Sequence, residues 1–165
     1  MAIGTPEKTS ASMLPSMRLN ALPTEPTFDK TPPSLLQVVT VDKEGGSPCR
    51  RCLRDGSLGD TMILAPYDPF LGDSPYRQPG PIFVHVSPQC EPYKPDGSVP
   101  EQLHRRLLSM RAFDASHCMV DTEVVKGDQI VEVSNKMMEN DAVTYIHVHY
   151  AKAGCFAVRI DRADD

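Results

Sequence analysis

No stretch of the 165-residue chain stays apolar over the roughly 18 residues that a membrane-spanning helix needs, so no such helix is expected. A basic excess is missing too. The formal net charge is −5, and neither Arg50-Arg51 nor Arg105-Arg106 has aromatic residues interleaved. General nucleic-acid binding is therefore not expected. The first residues show no charged-then-apolar secretory pattern, and Ala2 stands where myristoylation needs glycine. The expected location is cytoplasmic. Also missing are G-x-G-x-x-G, the P-loop, G-x-S-x-G and H-E-x-x-H, so no nucleotide cofactor or familiar hydrolase site is indicated.

What remains is an ordinary globular composition, with 40% apolar and 24% charged residues. An ordered part of roughly 130 residues buries a core without cross-links. Five cysteines are present: Cys49, Cys52, Cys90, Cys118 and Cys155. An odd number in a reducing compartment points to metal ligands, reactive thiols or packing thiols rather than a disulfide framework.

Residues 1–33 are rich in Pro, Ser and Thr and too sparse in apolar residues to offset the entropy of ordering them, so a disordered tail is expected there. Within it, Leu14, Met17, Leu19 and Leu22 make at most a weak helical stripe. Residues 34–165 are expected to form a single α+β domain, a small mixed or antiparallel sheet with two helices and a C-terminal β-hairpin. "LLQVVTVD", "TMILAPYDPF", "PIFVHVS" and "HCMVDTEVV" have strand composition and alternation, with Pro66 and Pro69 ending the second. Ser98 and Glu101 match a capping box, and Leu103, Leu107 and Met110 then fall on one helical face. A second helix is expected from Asp128 to about Asn140, with Ile130, Val133 and Met137 inward. In "VTYIHVHYAKAGCFAVRID" the apolar faces set a register with Val148 opposite Phe156 and His149 opposite Cys155, and with His147 beside His149 on the face away from the core. A bulge near Gly154 would shift it.

The segments "CRRCLRDGSLGDTMILAPYDPF", "GPIFVH", the Cys and Tyr of "CEPY" and the final "YIHVHYAKAGCFAVRIDR" resemble the family known as domain of unknown function 1203. The resemblance covers about residues 36–162 and implies one compact domain, with no activity attached. Where the family tends to carry Arg-Asn-Ala in its last hairpin, this chain has His149-Tyr150-Ala151.

Three constellations carry chemistry. Cys49 and Cys52 form a C-x2-C pair, followed after 32 residues by His85 and Cys90 in an H-x4-C pair. Zinc favours four thiolate and imidazole ligands in a tetrahedron, and a tight C-x2-C turn supplies two of them. Packing thiols with a hydrogen-bonded core histidine explain the same residues. Arg50 and Arg51 also suit a redox dithiol, although Gly56 makes a poor start for the helix that such sites use. On the hairpin, His147, His149 and Cys155 are candidate catalytic residues, since histidines two apart on a strand share a face about 7 Å apart and a histidine activates a neighbouring thiol. A solvated outer face is the competing explanation. In the loop before "GPIFVH", Tyr76 and Arg77 are candidate substrate-binding residues beside Asp68 and Asp73, which also simply make turns. Asp121 and Glu123 share a strand face and pair either for acid–base work or merely with solvent.

Two functions fit. One is a binding or accessory module with a structural zinc on Cys49, Cys52, His85 and Cys90. The other is a cofactor-free enzyme that acts on a small molecule through the hairpin Cys/His site. A CxxC redox protein is a third alternative.

Overall fold

Strand alternation governs most of this chain, and helix periodicity governs one segment of it. A computed structural model describes residues 17–26, 28–86, 88 and 90–163. Its elements are β1 (Met17–Asn20), β2 (Gln37–Thr40), β3 (Thr61–Tyr67), β4 (Gly80–His85), α1 (Glu101–His104), β5 (Leu107–Phe113), β6 (Met119–Lys126), α2 (Ile130–Met138), β7 (Tyr145–Tyr150) and β8 (Phe156–Arg162). They make an α+β fold of two antiparallel sheets, one in the order β1-β8-β7-β5-β6 and one in the order β2-β3-β4. Among the described residues no helix is long and apolar enough to cross a membrane.

The five-stranded sheet has two different faces. Leu108, Met110, Ala112, Ile146, Val148, Val158 and Ile160 pack on one side with Ile130, Val131 and Met137 of α2. Burying each large aliphatic side chain there contributes about 1.5–3 kcal/mol. The opposite face carries Ser109, Arg111 and Phe113, which pair across to His149, His147 and Tyr145. It is not solvated. Phe70, from the β3–β4 connection, packs edge-on against Phe113 and His147. Ser74 Oγ donates to the His117 carbonyl at 2.7 Å and ties the same connection down.

Several expectations are corrected. The first helix is a single turn, its N-cap is Pro100 without a side-chain bond, and the Ser98 hydroxyl donates to Asp96 instead. From Leu107 the chain is a strand that buries Leu108, Met110, Ala112 and Phe113, because both neighbours, β6 and β7, take up its backbone hydrogen bonds. Gly127 packs its backbone against the end of α1 and donates its N–H to the Arg106 carbonyl at 2.8 Å. A Cβ there would lie 1.9 Å from the Leu103 carbonyl oxygen and 2.5 Å from that of His104. Gly127→Ala is expected to cost about 3 kcal/mol, an overpacking penalty paid by the backbone. Urea unfolding measures it, and an unchanged midpoint would mean that α1 yields freely.

Pro66 lies inside β3, opposite Pro81, rather than ending it. In the hairpin Val148 faces Val158 and His149 faces Phe156, with a register shift between Val148 and His149, so Cys155 is not opposite His149. The bulge moved the pairing, and His147 on the supposedly outer face is fully buried. Order also begins inside the segment read as a tail. Met17–Asn20 alternates buried and exposed and pairs with β8, so its stripe is a strand rather than a helix. Residues 1–16, and with them Leu14, lie outside the described residues.

Candidate metal centre and the adjoining cleft

The CRRC turn is stitched to β4 by its backbone. Cys49 pairs with Phe83 in an isolated parallel bridge, and the Arg50 N–H donates to the Phe83 carbonyl at 2.9 Å. The Cys49 N–H closes the loop on Arg54 at 3.0 Å. Leu53 turns the chain with φ 54°, a left-handed conformation that costs a branched residue about 1 kcal/mol, and its side chain is buried in the main core. That burial offsets the strain and holds Cys52 in place.

His85 lies two residues beyond Phe83, and Cys90 follows on the next loop. The four ligand atoms of Cys49, Cys52, His85 and Cys90 all lie within 4.8 Å of one another. Cys49 Sγ is 3.7 Å from Cys90 Sγ, and Cys52 Sγ is 3.6 Å from His85 Nδ1. With zinc–sulfur bonds near 2.3 Å, a tetrahedron has sulfur–sulfur edges of about 3.8 Å. This Cys3His cluster could hold a metal ion, and its donor set is the one zinc prefers. The far side of the imidazole fits as well. His85 Nε2 faces Asp60 Oδ2 at 3.3 Å, a carboxylate that orients the ring and leaves Nδ1 as the inward lone pair. Cys49 Sγ accepts the His85 backbone N–H at 3.5 Å, which favours negative charge on that sulfur.

Without an ion the cluster shares protons. The hydrogen bond that Cys49 gives to Cys52 pushes the Cys49 thiol up, and burial adds to this. Accepting that bond draws Cys52 down to about 4. Burial raises Cys90. A divalent cation would replace the shared protons and let all three sulfurs ionise.

Beyond the loop lies a cleft of about 700 Å³ between β3–β4 and the open face of the larger sheet. It brings together Tyr76, Arg77, His149 and Cys155 from the predicted sites. His147 is not on its surface. It sits behind, among Phe70, Phe113, Tyr145 and Phe156, and neither ring nitrogen has a partner among the described residues. Burial holds His147 down to about 2 and His149 to about 4, so both rings are neutral near pH 7. His149 Nδ1 lies 2.9 Å from the Gly154 carbonyl and must donate to it, which leaves Nε2 as an acceptor. Arg77 is tied to Asp68 and, at 3.7 Å, to Asp73. Asp121 and Glu123 lie exposed on the β6 edge, each accepting the N–H of the next residue, far from forming a paired site.

Two functional residues escaped sequence reasoning. Arg111 lines the cleft but falls in a segment read as following a helix; two-residue alternation across Leu108, Met110 and Ala112 was the available signal. Arg50 was read only as a charge beside thiols. It is 1% exposed and reaches across to the hairpin, with Nε on the Phe156 carbonyl at 2.7 Å and Nη2 on Cys155 Sγ at 3.0 Å. Its guanidinium also lies 4.8 Å over the Tyr150 ring. The CRRC loop is thereby tied to the cleft wall.

A family model described as a protein of unknown function (DUF1203) matches residues 46–162, which include every residue of the cluster and the cleft. No curated protein and no solved structure matches the chain.

Proposed function

The chain belongs to the DUF1203 family, and from its own residues we propose that it is a small-molecule-binding module whose cleft is braced by a structural zinc ion. The observation that carries this reading is the mutual approach of four soft and borderline ligand atoms within 4.8 Å. Four protein ligands leave no open position for a substrate or water, which favours a structural over a catalytic ion. Cys49, Cys52, His85 and Cys90 would hold it and would pin the CRRC loop to β4. Arg50 would carry that rigidity to Cys155. The redox-dithiol alternative has less support, since Cys52 is followed by a turn and then β3 rather than by the helix N-terminus that activates such thiols.

Metal analysis by mass spectrometry, on protein purified without a chelating tag, tests the reading. One zinc per chain is expected in the wild type and none in Cys52→Ser. A metal-free wild type overturns it.

The enzyme reading keeps one supporting observation: the Cys155 thiol and the His149 acceptor line the same cleft. If it holds, iodoacetamide at neutral pH modifies Cys155 at least tenfold faster than the exposed Cys118. Equal or slower labelling of Cys155 removes it.

A further inference from the structure

We propose that the cleft takes a small carboxylate carried on a planar ring, with Arg111 as the group that recognises the charge. The inference rests on the reading of the cleft as a binding site and is independent of the metal.

The lining is lopsided in charge. Two arginines and a histidine line the cleft, and no aspartate or glutamate does. Arg77 is committed to Asp68 and Asp73. Arg111 is not committed. It is half-buried, its Nε donates a long bond of 3.4 Å to Ser109 Oγ, and among the described residues no carboxylate pairs with it. Burial alone pulls its guanidinium down, as expected of a cation with no anion beside it. A half-buried guanidinium without a counter-ion is costly to keep, and an anion seated in the cleft removes the cost.

The chemistry of the group narrows the anion. A guanidinium presents a planar fork of donors that matches a carboxylate with two parallel bonds. One free arginine suits one negative charge. Next to it the wall is aromatic, with Phe70, Tyr76, Phe113 and Phe156 all on the lining. Tyr76 stands roughly edge-on to Phe113 with ring centroids 6.0 Å apart. Such walls favour a flat ring in offset or edge contact. His149 Nε2 adds an acceptor for a hydroxyl or amide donor on the same molecule. The volume of about 700 Å³ is that of an ordinary small-molecule site.

The test uses the full chain, isotope-labelled, and follows backbone amides by NMR during titration with sodium benzoate. Benzamide, of the same shape without the charge, is the matched control. The expected result is saturable shifts at Arg111, Gly154 and Phe156, with benzamide at least tenfold weaker. Arg111→Gln should lose at least tenfold in benzoate affinity, and Arg111→Lys should recover part of it. Should Arg111→Gln fail to fold, the benzoate-to-benzamide ratio and Arg111→Lys still decide. Equal binding of the two probes overturns the charge recognition and leaves the binding-module reading standing. Shifts confined to another surface, or binding of neither probe, overturn both, while zinc content continues to test the metal separately.

Discussion

Chelating the proposed zinc ion from the intact chain is expected to lower its melting temperature by about 10–20 °C. Saturation at about a thousand times the dissociation constant stabilises the bound fold by about 4 kcal/mol, and a domain of this size shifts by a few degrees per kcal/mol. The location of the cluster makes the loss large. Cys49 and Cys52 belong to a core that also holds Val41, Met62, Ile82, Val84 and Phe156, so the proposed ion would sit where the smaller sheet meets β8. Removing it would leave three sulfurs sharing protons in a partly buried cluster, with Asp60 on the far side of the imidazole. The larger sheet has its own core on α2 and should survive, so the expected product is partial unfolding of β2–β4 rather than a random chain. Calorimetry with and without chelator, followed by zinc re-addition, measures the effect. Cys52→Ser should melt like the chelated wild type and ignore chelator. A wild-type melting temperature that chelator does not move would contradict the structural role.

Between pH 6.5 and pH 4.5 the wild type will lose about 2 kcal/mol more stability than His147→Phe. Burial holds the folded imidazole down to about 2, against an ordinary value of 6.5. His149, Arg159, Arg111 and His117 face it with positive or potentially positive charge and push the same way. Below pH 6.5 the unfolded chain increasingly binds a proton that the folded chain refuses, so the loss of stability steepens from about 0.7 kcal/mol per pH unit at pH 6.5 to about 1.4 kcal/mol per pH unit near pH 5. The contribution is complete above pH 6.5 and is lost progressively towards pH 2. Phenylalanine removes that proton and sits among the same aromatic rings, with no hydrogen bond to replace. Metal loss in acid affects both proteins and cancels in the difference. Urea unfolding of both at the two pH values gives the answer, and equal losses would show that His147 takes up its proton in the folded state.

Much of the candidate metal centre was legible, for a local reason. Cys49 and Cys52 are brought together by one turn, and His85 lies at the end of a strand recognisable from Ile82 and Val84. Few residue types make such ligands, so their spacing carries weight. The strands β3, β4, β6, β7 and β8 were visible because two-residue alternation is also local. β5 was not. Leu103, Leu107 and Met110 fit a helical face, and only pairing with β6 and β7 selects the extended form. β1 was hidden because four residues gain their order from a partner more than a hundred positions away, with Leu19 opposite Ile160. The hairpin register was fixed only by where its bulge falls: it shifts the pairing between Val148 and His149 and sets His149 opposite Phe156, close to the turn at Gly154 with φ 79°.

The chain's own order of residues determined its α+β character, its ligand types and their spacing, because these depend on neighbours within a turn or a strand. Tertiary structure alone decided what the second face of the larger sheet became. Pattern marked that face as polar and therefore wet. The β3–β4 connection, anchored by Phe70 and Ser74, roofs it instead. Under that roof His147 is dry and neutral, Arg111 is left without a carboxylate among the described residues, and Arg50 spans from the CRRC loop to Cys155. Burial and charge pairing are set by which distant segments meet, and no local pattern encodes that.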